Sequence, residues 1–127
     1  MADQERYNIA VSVTTAFIPD QSDVAQDRYA FSYTVSIRNI GKTTAQLISR
    51  HWIITDAAQQ VQEVRGQGVI GQQPTLRPGE RFEYTSGTMI TTPVGTMHGT
   101  YQMRAEDGTE FEAEIPQFTL SMPRTLH

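Results

Sequence analysis

The chain has 127 residues, no cysteine and a formal net charge of −4. This length suits a single domain, and the lack of thiols excludes disulfides, cysteine-based zinc sites and a cysteine nucleophile. Because the chain is acidic and Lys42 is its only lysine, it lacks the basic patch that nonspecific nucleic-acid binding requires, and we expect no nucleic-acid partner.

The N-terminus is polar, and no apolar run behind it is long enough for a signal peptide or a membrane span. We therefore expect a cytoplasmic location and no membrane contact. Residues 1–127 are predicted to form one domain, with 1–6 and 122–127 loosely ordered because chain ends are seldom tied down.

Most of the chain alternates between apolar and polar residues, a period of two that indicates half-buried antiparallel strands. The pattern is clearest at 28–38, where every odd position is large and apolar or aromatic. The other predicted strands are 7–13, 46–55, 61–64, 81–85, 97–103 and 111–120.

The central run at 46–55 carries apolar residues on both faces, which suits a strand that is covered on both sides. Ile48, Trp52 and Ile54 are predicted to share one face, and Leu47 and Ile53 the other. The residues predicted to be mostly buried in the core are Tyr29, Phe31, Tyr33, Val35, Ile37, Trp52, Phe82, Tyr84 and Tyr101.

Turn signals separate these runs. Asp107-Gly108 predicts a two-residue type I′ hairpin, and Pro78-Gly79 predicts a type II turn. Pro116 interrupts the last run, which indicates an edge strand or a bulge, and Glu110, Glu112 and Glu114 alternate outward along it. About seven strands without an amphipathic helix predict an all-β fold, an immunoglobulin/fibronectin type III-like antiparallel β-sandwich.

The segment from Gly66 through Gly68 to Gly71 has the glycine spacing of dinucleotide-binding loops. In those folds a helix opens directly after the glycines and turns its N-terminus towards the phosphates. Here Pro74 and Pro78 follow and no helical period appears, so a Rossmann site is not predicted.

Two interpretations of the glycines stay open. Their backbone N–H groups could hold a phosphate or another anion, with Arg65, Arg77 and Arg81 close in sequence. Alternatively, the glycines simply adopt positive φ angles in a tight loop. Val69 and Ile70 lie between them, and these two side chains must either plug the end of the sandwich or stay exposed as a partner contact.

No catalytic residue and no cofactor is predicted. His51, His98 and His127 have no short metal-ligand spacing, so no metal site is predicted either. Gly41-Lys42-Thr43 lacks the first glycine of a phosphate-binding P-loop, and a hairpin loop is the better interpretation.

The chain as a whole resembles the bacterial ApaG family from about Tyr7 to its C-terminus. The resemblance implies a fibronectin-type sandwich and no particular chemical activity. The segments that carry it are YTVSIRN at 33–39, LISRHWIITD at 47–56, GQGVIGQQP at 66–74, LRPGE at 76–80, YTSG at 84–87, MHGTY at 97–101 and FTL at 118–120.

Further expectations follow from this resemblance. The family is often encoded beside a diadenosine tetraphosphate hydrolase and is associated with cobalt and magnesium tolerance. Similar domains in eukaryotic F-box and polymerase-interacting proteins act in protein interactions. Pyrophosphate binding has been proposed for the family's glycine motif, which here corresponds to Gly66, Gly68 and Gly71.

The sequence thus favours a noncatalytic binding module that engages a protein partner through loops or an exposed strand edge. The alternative is a pyrophosphate- or nucleotide-binding domain that uses Gly66, Gly68, Gly71, Arg65 and Arg77. A third class, a hydrolase of such nucleotides, lacks a visible catalytic constellation.

Overall fold

A computed structural model describes residues 5–123 of the chain. Within that range it contains eight β-strands and two short 3-10 turns, at Pro19–Gln21 and Val24–Gln26. The strands are β1 (Ile9–Phe17), β2 (Tyr29–Asn39), β3 (Ala45–Asp56), β4 (Val61–Gln67), β5 (Thr75–Leu76), β6 (Arg81–Ile90), β7 (Val94–Ala105) and β8 (Glu110–Ser121).

The strands form two antiparallel sheets that pack as a sandwich. One sheet has the order β1-β2-β6, and the other has the order β4-β3-β7-β8, with β5 also pairing with β3. This confirms the predicted all-β, fibronectin type III-like fold. The strand that the sequence did not predict is β5, whose two residues are too few to show an alternation.

The predicted core is confirmed except at Phe82, which is only half-buried. Trp52 lies at its centre with 2% of its surface exposed. The rings of Tyr33 and Phe118 pack edge-on against the indole, with centroids 5.3 and 5.9 Å away. Such edge-to-face packing adds to the stabilisation that burial of a large side chain already gives.

The predicted faces of the central strand are wrong at two residues, Leu47 and Ile48. A bulge between Leu47 and Ser49 interrupts the pairing of β3 with β7. The extra residue shifts the alternation, so that Leu47 is fully buried with Trp52 while Ile48 stays half-buried. The bulge also positions the Ile48 carbonyl to accept a hydrogen bond from the Gly68 N–H at 2.8 Å.

The connection between β2 and β3 was predicted as a hairpin loop, and this is wrong because the two strands belong to different sheets. Asn39 is a buried polar residue that stabilises this connection between the two sheets. Its Nδ2 donates to the carbonyls of Thr43 and Leu76 at 2.9 Å, and its Oδ1 accepts from the Gly41 N–H at 2.9 Å. All hydrogen-bonding groups of the buried amide are thereby used.

The turn at Pro78-Gly79 has the predicted type II character, with Gly79 at φ 89°. The turn at Asp107-Gly108 does not have the predicted type I′ form, because Gly108 takes a positive φ of 89° and Asp107 does not. The Gly108 N–H donates to the Ala105 carbonyl, and the Asp107 carboxylate accepts from the Thr109 N–H at 2.9 Å. The result is a three-residue loop with glycine in the left-handed position.

The last strand is an edge strand with a bulge, as Pro116 predicted. The exposed side chains of Glu110, Glu112 and Glu114 line it as predicted. One side of the sandwich is closed where the edge strands β1 and β8 approach each other, and the Thr15 hydroxyl donates to the Thr119 carbonyl there. The opposite side lies between the outer edges of β4 and β6, and no strand within residues 5–123 pairs with either edge, so this side is open in that range.

The expectation of loosely ordered ends falls mostly on residues 1–4 and 124–127, which lie outside the described residues. Backbone hydrogen bonds hold both ends of the described range. The Arg6 carbonyl accepts from the N–H groups of Lys42 and Thr43 at 3.1 Å, and the Met122 N–H donates to the Pro93 carbonyl.

Two buried tyrosine hydroxyls meet across the sandwich. The Tyr84 and Tyr101 oxygens lie 2.6 Å apart. Burial raises the pKa of Tyr84 to about 12, and burial together with the neighbouring Tyr84 raises the pKa of Tyr101 well above its ordinary range. The native state therefore retains two protons that the unfolded chain releases near pH 10.

We expect the free energy of unfolding to fall as the pH rises from about 10 to about 12. Above pH 10 the unfolded state binds fewer protons than the native state, so each tyrosine lowers stability by up to about 1.4 kcal/mol per pH unit. Below pH 10 this contribution is fully retained. Urea unfolding across this pH range would measure the slope.

The matched control is the double variant Tyr84→Phe/Tyr101→Phe, which removes both hydroxyls and so leaves neither without its partner. Its unfolding free energy should change much less over the same pH range. Equal slopes in the two proteins would contradict the assignment.

Candidate functional site

The predicted glycine loop is a tight hairpin turn that follows β4. The N–H and carbonyl groups of Val69 and Gln72 bond to each other at 2.8 and 2.9 Å. The two residues between them, Ile70 and Gly71, both have positive φ angles, of 43° and 78°. This is the pattern of a type I′ turn.

Each glycine of the motif is explained by a close contact or by a positive φ angle. Gly66 is the β4 partner of Arg50, and a Cβ there would lie 2.7 Å from the guanidinium. Gly68 has φ 61°, and a Cβ there would overlap the Gln72 carbonyl oxygen. Gly71 occupies the second central position of the turn. The spacing of these glycines thus follows from local geometry.

Most backbone N–H groups of the loop are already used. The Gly68 N–H donates to the Ile48 carbonyl, and those of Val69 and Gln72 close the turn. At the tip, the N–H groups of Ile70 and Gly71 have no backbone acceptor among the described residues.

The arginines predicted beside the loop are not brought together. Arg65 is exposed on β4 and lines the same surface depression as Gly66. Arg77 instead lies in the β5–β6 turn, where its Nη2 is 3.2 Å from the Glu80 carboxylate. This hydrogen bond and the charge of Glu80 raise the pKa of Arg77. Arg81 is exposed at the start of β6.

The two apolar residues of the loop have different environments. Val69 is 1% exposed and belongs to the hydrophobic core, so it plugs the end of the sandwich. Ile70 is 53% exposed and takes a left-handed backbone conformation that a β-branched residue rarely adopts. Strain of this kind persists where the surrounding structure imposes it, and it is frequent at functional sites.

Arg50 is a site residue that the spacing of residues along the chain did not indicate. Its Nη1 donates to the carbonyls of Gln67 and Gly68, at 3.0 and 2.8 Å, and so ties the glycine loop to β3. Within residues 5–123, no carboxylate forms an ion pair with Arg50, and its Nη2 and Nε have no protein acceptor.

Arg50 lines an opening between the free edges of β4 and β6, which we call the inter-sheet cleft. The cleft has a volume of about 300 Å³, and none of the described residues that line it is acidic. Apolar walls come from Trp52 and Val64, and the hydroxyl-bearing side chains of Ser86 and Thr88 lie opposite. In the described part of the chain, neither hydroxyl has a hydrogen-bond partner, nor does the indole N–H of Trp52.

A sequence signal for the cleft existed. Arg50 precedes Trp52 by two residues, and Ser86 and Thr88 follow Tyr84 at intervals of two. The period of a strand therefore places one charge and two hydroxyls on faces that otherwise point into the core. Polar residues at core-facing positions are more informative than exposed apolar residues.

A second depression continues the cleft at its far end. It has a volume of about 160 Å³ and shares Ile54 and Gln62 with the cleft. Two apolar side chains border it, those of Val61 (62% exposed) and Met89 (48% exposed). The open side of the sandwich thus carries apolar surface beyond the cleft.

The described residues, 5–123, contain no group of three histidine or acidic side chains placed to hold a metal ion. His51 Nε2 lies 3.5 Å from the Glu63 carboxylate, a distance too long for a good hydrogen bond. His127 is outside this range. No helix in the same range is long and apolar enough to cross a bilayer.

A sequence profile described as "ApaG domain" matches residues 19–105 of the chain. Among curated proteins, the chain is 65% identical to "Protein ApaG" of Methylobacillus flagellatus and 62% identical to "Protein ApaG" of Thiobacillus denitrificans. Both matches run over 127 residues and cover 100% of each chain.

Solved structures support the same relationship. The chain is similar to the crystal structure of an ApaA protein from Bordetella pertussis, with a TM-score of 0.92 and 58% identity. That match covers 95% of this chain and 98% of the other.

Proposed function

The chain belongs to the ApaG domain family, and we propose that it is a noncatalytic binding module that engages a protein partner along its open side. The feature that carries this proposal is the free edge of β6. An extended segment of the partner adds to this edge as a further strand, in the manner of β-augmentation.

Beyond Arg81 and Glu83 at its start, the β6 edge lacks the charged residues and prolines that normally prevent strand pairing. From Tyr84 to Ile90 it contains no charged residue and no proline. Exposed edges are usually protected by charges, proline, bulges or covering segments. The edge strand β8 has charged residues, a proline and a bulge, and the edge strand β1 is approached by β8. The edge strand β4 is short and carries Glu63 and Arg65.

The open side also fits an extended peptide in length and polarity. At about 3.3 Å per residue, the seven residues of β4 span roughly 23 Å along it. Exposed apolar side chains lie at both ends, Val61 and Met89 at one and Ile70 beyond the other. A partner segment of similar length, with apolar residues near its ends, would cover them.

Site-specific photo-crosslinking in cells tests this proposal. The photoreactive p-benzoylphenylalanine replaces Met89, on the β6 edge, or Val24, which is similarly exposed in the β1–β2 connection. We expect crosslinking of a protein partner from Met89 and not from Val24. Mass spectrometry would then map the crosslinked segment of the partner.

A synthetic peptide with the sequence of that segment provides the second step. Its binding should slow hydrogen exchange of the backbone amides in Arg81–Ile90 and leave those in β8 unchanged. Identical crosslinks from Met89 and Val24 would contradict the proposal, and so would a bound peptide that leaves exchange in β6 unchanged.

A further inference from the structure

We propose that the inter-sheet cleft is a carboxylate-binding subsite, in which Arg50 receives an aspartate or glutamate side chain of the partner strand. This inference rests on the proposed function and gives the partner its chemistry. It predicts that the segment recognised at β6 carries an acidic residue at the position facing Arg50.

The first support is the state of the Arg50 guanidinium. Nη1 is occupied by the carbonyls of Gln67 and Gly68, which fixes the plane of the group. Nη2 and Nε remain without an acceptor in residues 5–123, and no carboxylate there balances the charge. Two N–H groups on one edge of a guanidinium match the two oxygens of a carboxylate.

The described lining of the cleft offers hydrogen-bond donors to a carboxylate and contains no carboxylate of its own. Ser86 and Thr88 contribute hydroxyl groups without partners in the described residues, and Gln62 contributes an amide. Among residues 5–123, no acidic side chain lines the cleft and competes for Arg50 there. The apolar surfaces of Trp52 and Val64 limit the water around the site, which strengthens a charge pair formed there.

The position of the cleft favours a peptide as the source of the carboxylate. Ser86 and Thr88 line the cleft and also belong to the β6 edge to which a strand would add. Because successive side chains of a strand point to opposite faces, every second side chain of the added strand points towards the cleft. One of them is thus close to Arg50.

A small probe tests the subsite without knowledge of the partner. N-acetyl-glutamate α-methylamide carries one side-chain carboxylate, and the glutamine analogue is its neutral match. We expect the glutamate probe to shift the NMR signals of the Arg50 Nε–H and of the Ser86 and Thr88 amides, with weaker binding as salt rises. The glutamine probe should leave them in place.

Two arginine variants separate the cleft from general positive charge. Arg50→Gln should weaken binding of the glutamate probe by about tenfold or more, because a paired guanidinium is lost. Arg65→Gln, which removes the neighbouring exposed arginine of β4, should change it by less than about twofold.

Since Arg50 also holds the glycine loop, Ser86→Ala/Thr88→Val is a further variant that keeps Arg50 in place. It should weaken binding while retaining the wild-type melting curve. Equal shifts from the glutamate and glutamine probes would overturn the inference, as would unchanged binding in Arg50→Gln.

Inorganic pyrophosphate serves as the competing probe. If it shifts the Ile70 and Gly71 amides while the glutamate probe shifts nothing, the anion site is the glycine loop and the carboxylate subsite is wrong.

If the mapped partner segment binds equally well after its acidic residues are changed to amides, the subsite fails and strand addition stands. If the glutamate probe binds but Met89 gives no crosslink, the cleft binds carboxylates, but strand addition fails and with it the assignment of the carboxylate to a partner strand.

Discussion

Replacing Trp52 with alanine is expected to lower the free energy of unfolding by about 3–5 kcal/mol, the range for loss of a buried large aromatic side chain. The indole is 2% exposed and contacts the rings of Tyr33, Tyr101 and Phe118. These residues come from both sheets, so the cavity opens where the sheets meet. Domains of this size have only about 5–15 kcal/mol of stability in total.

Urea unfolding followed by circular dichroism would measure this loss. Val61→Ala is the matched control, because Val61 is 62% exposed on the neighbouring strand β4. Its effect should stay within about 0.5 kcal/mol. An unfolding midpoint of Trp52→Ala that equals that of Val61→Ala would remove Trp52 from the centre of the core.

Replacing Val69 with aspartate is expected to lower the free energy of unfolding by about 3–5 kcal/mol, as for other uncompensated charges in an apolar interior. Val69 is 1% exposed at the end of the sandwich. Its own N–H and carbonyl are bonded to Gln72, so neither group is free to compensate a carboxylate at this position. Thermal and urea unfolding of the purified variant would measure the effect.

The next residue provides the control. Ile70→Asp introduces the same charge at a side chain that is 53% exposed, so its unfolding free energy should not fall below that of the wild type. Ile70→Asn should raise it by about 1 kcal/mol, since asparagine tolerates the left-handed conformation that strains isoleucine. Equal losses in Val69→Asp and Ile70→Asp would contradict the separate roles of the two residues.

The alternation of side chains was sufficient to predict the sandwich and nearly all of its core. A period of two determines which face of a strand is buried, and the run of apolar odd positions in β2 fits no other regular structure. The prediction failed at Leu47 and Ile48, because a bulge shifts the alternation of a strand and no characteristic residue marks its position here. Pro116 provided such a mark, and the bulge in β8 was predicted correctly.

The candidate site was harder to predict because it depends on contacts between strands. Sequence proximity suggested Arg65 and Arg77 as partners of the glycine loop, whereas the arginine that bonds to the loop is Arg50 on the adjacent strand. The pairing of Arg50 with Gly66 follows from strand register, which the spacing of residues along the chain does not determine.

The pairing of distant strands has a consequence for how the chain folds. β3 pairs with β7, so that Ser49 and Gln102 form a hydrogen bond across 53 positions of sequence, and β2 pairs with β6. Contacts this far apart require closure of long loops before they stabilise anything, and such topologies fold in milliseconds to seconds. During synthesis on the ribosome, β3 cannot pair with β7 until β7 has emerged. The N-terminal half therefore cannot complete its sheets before the C-terminal half is synthesised.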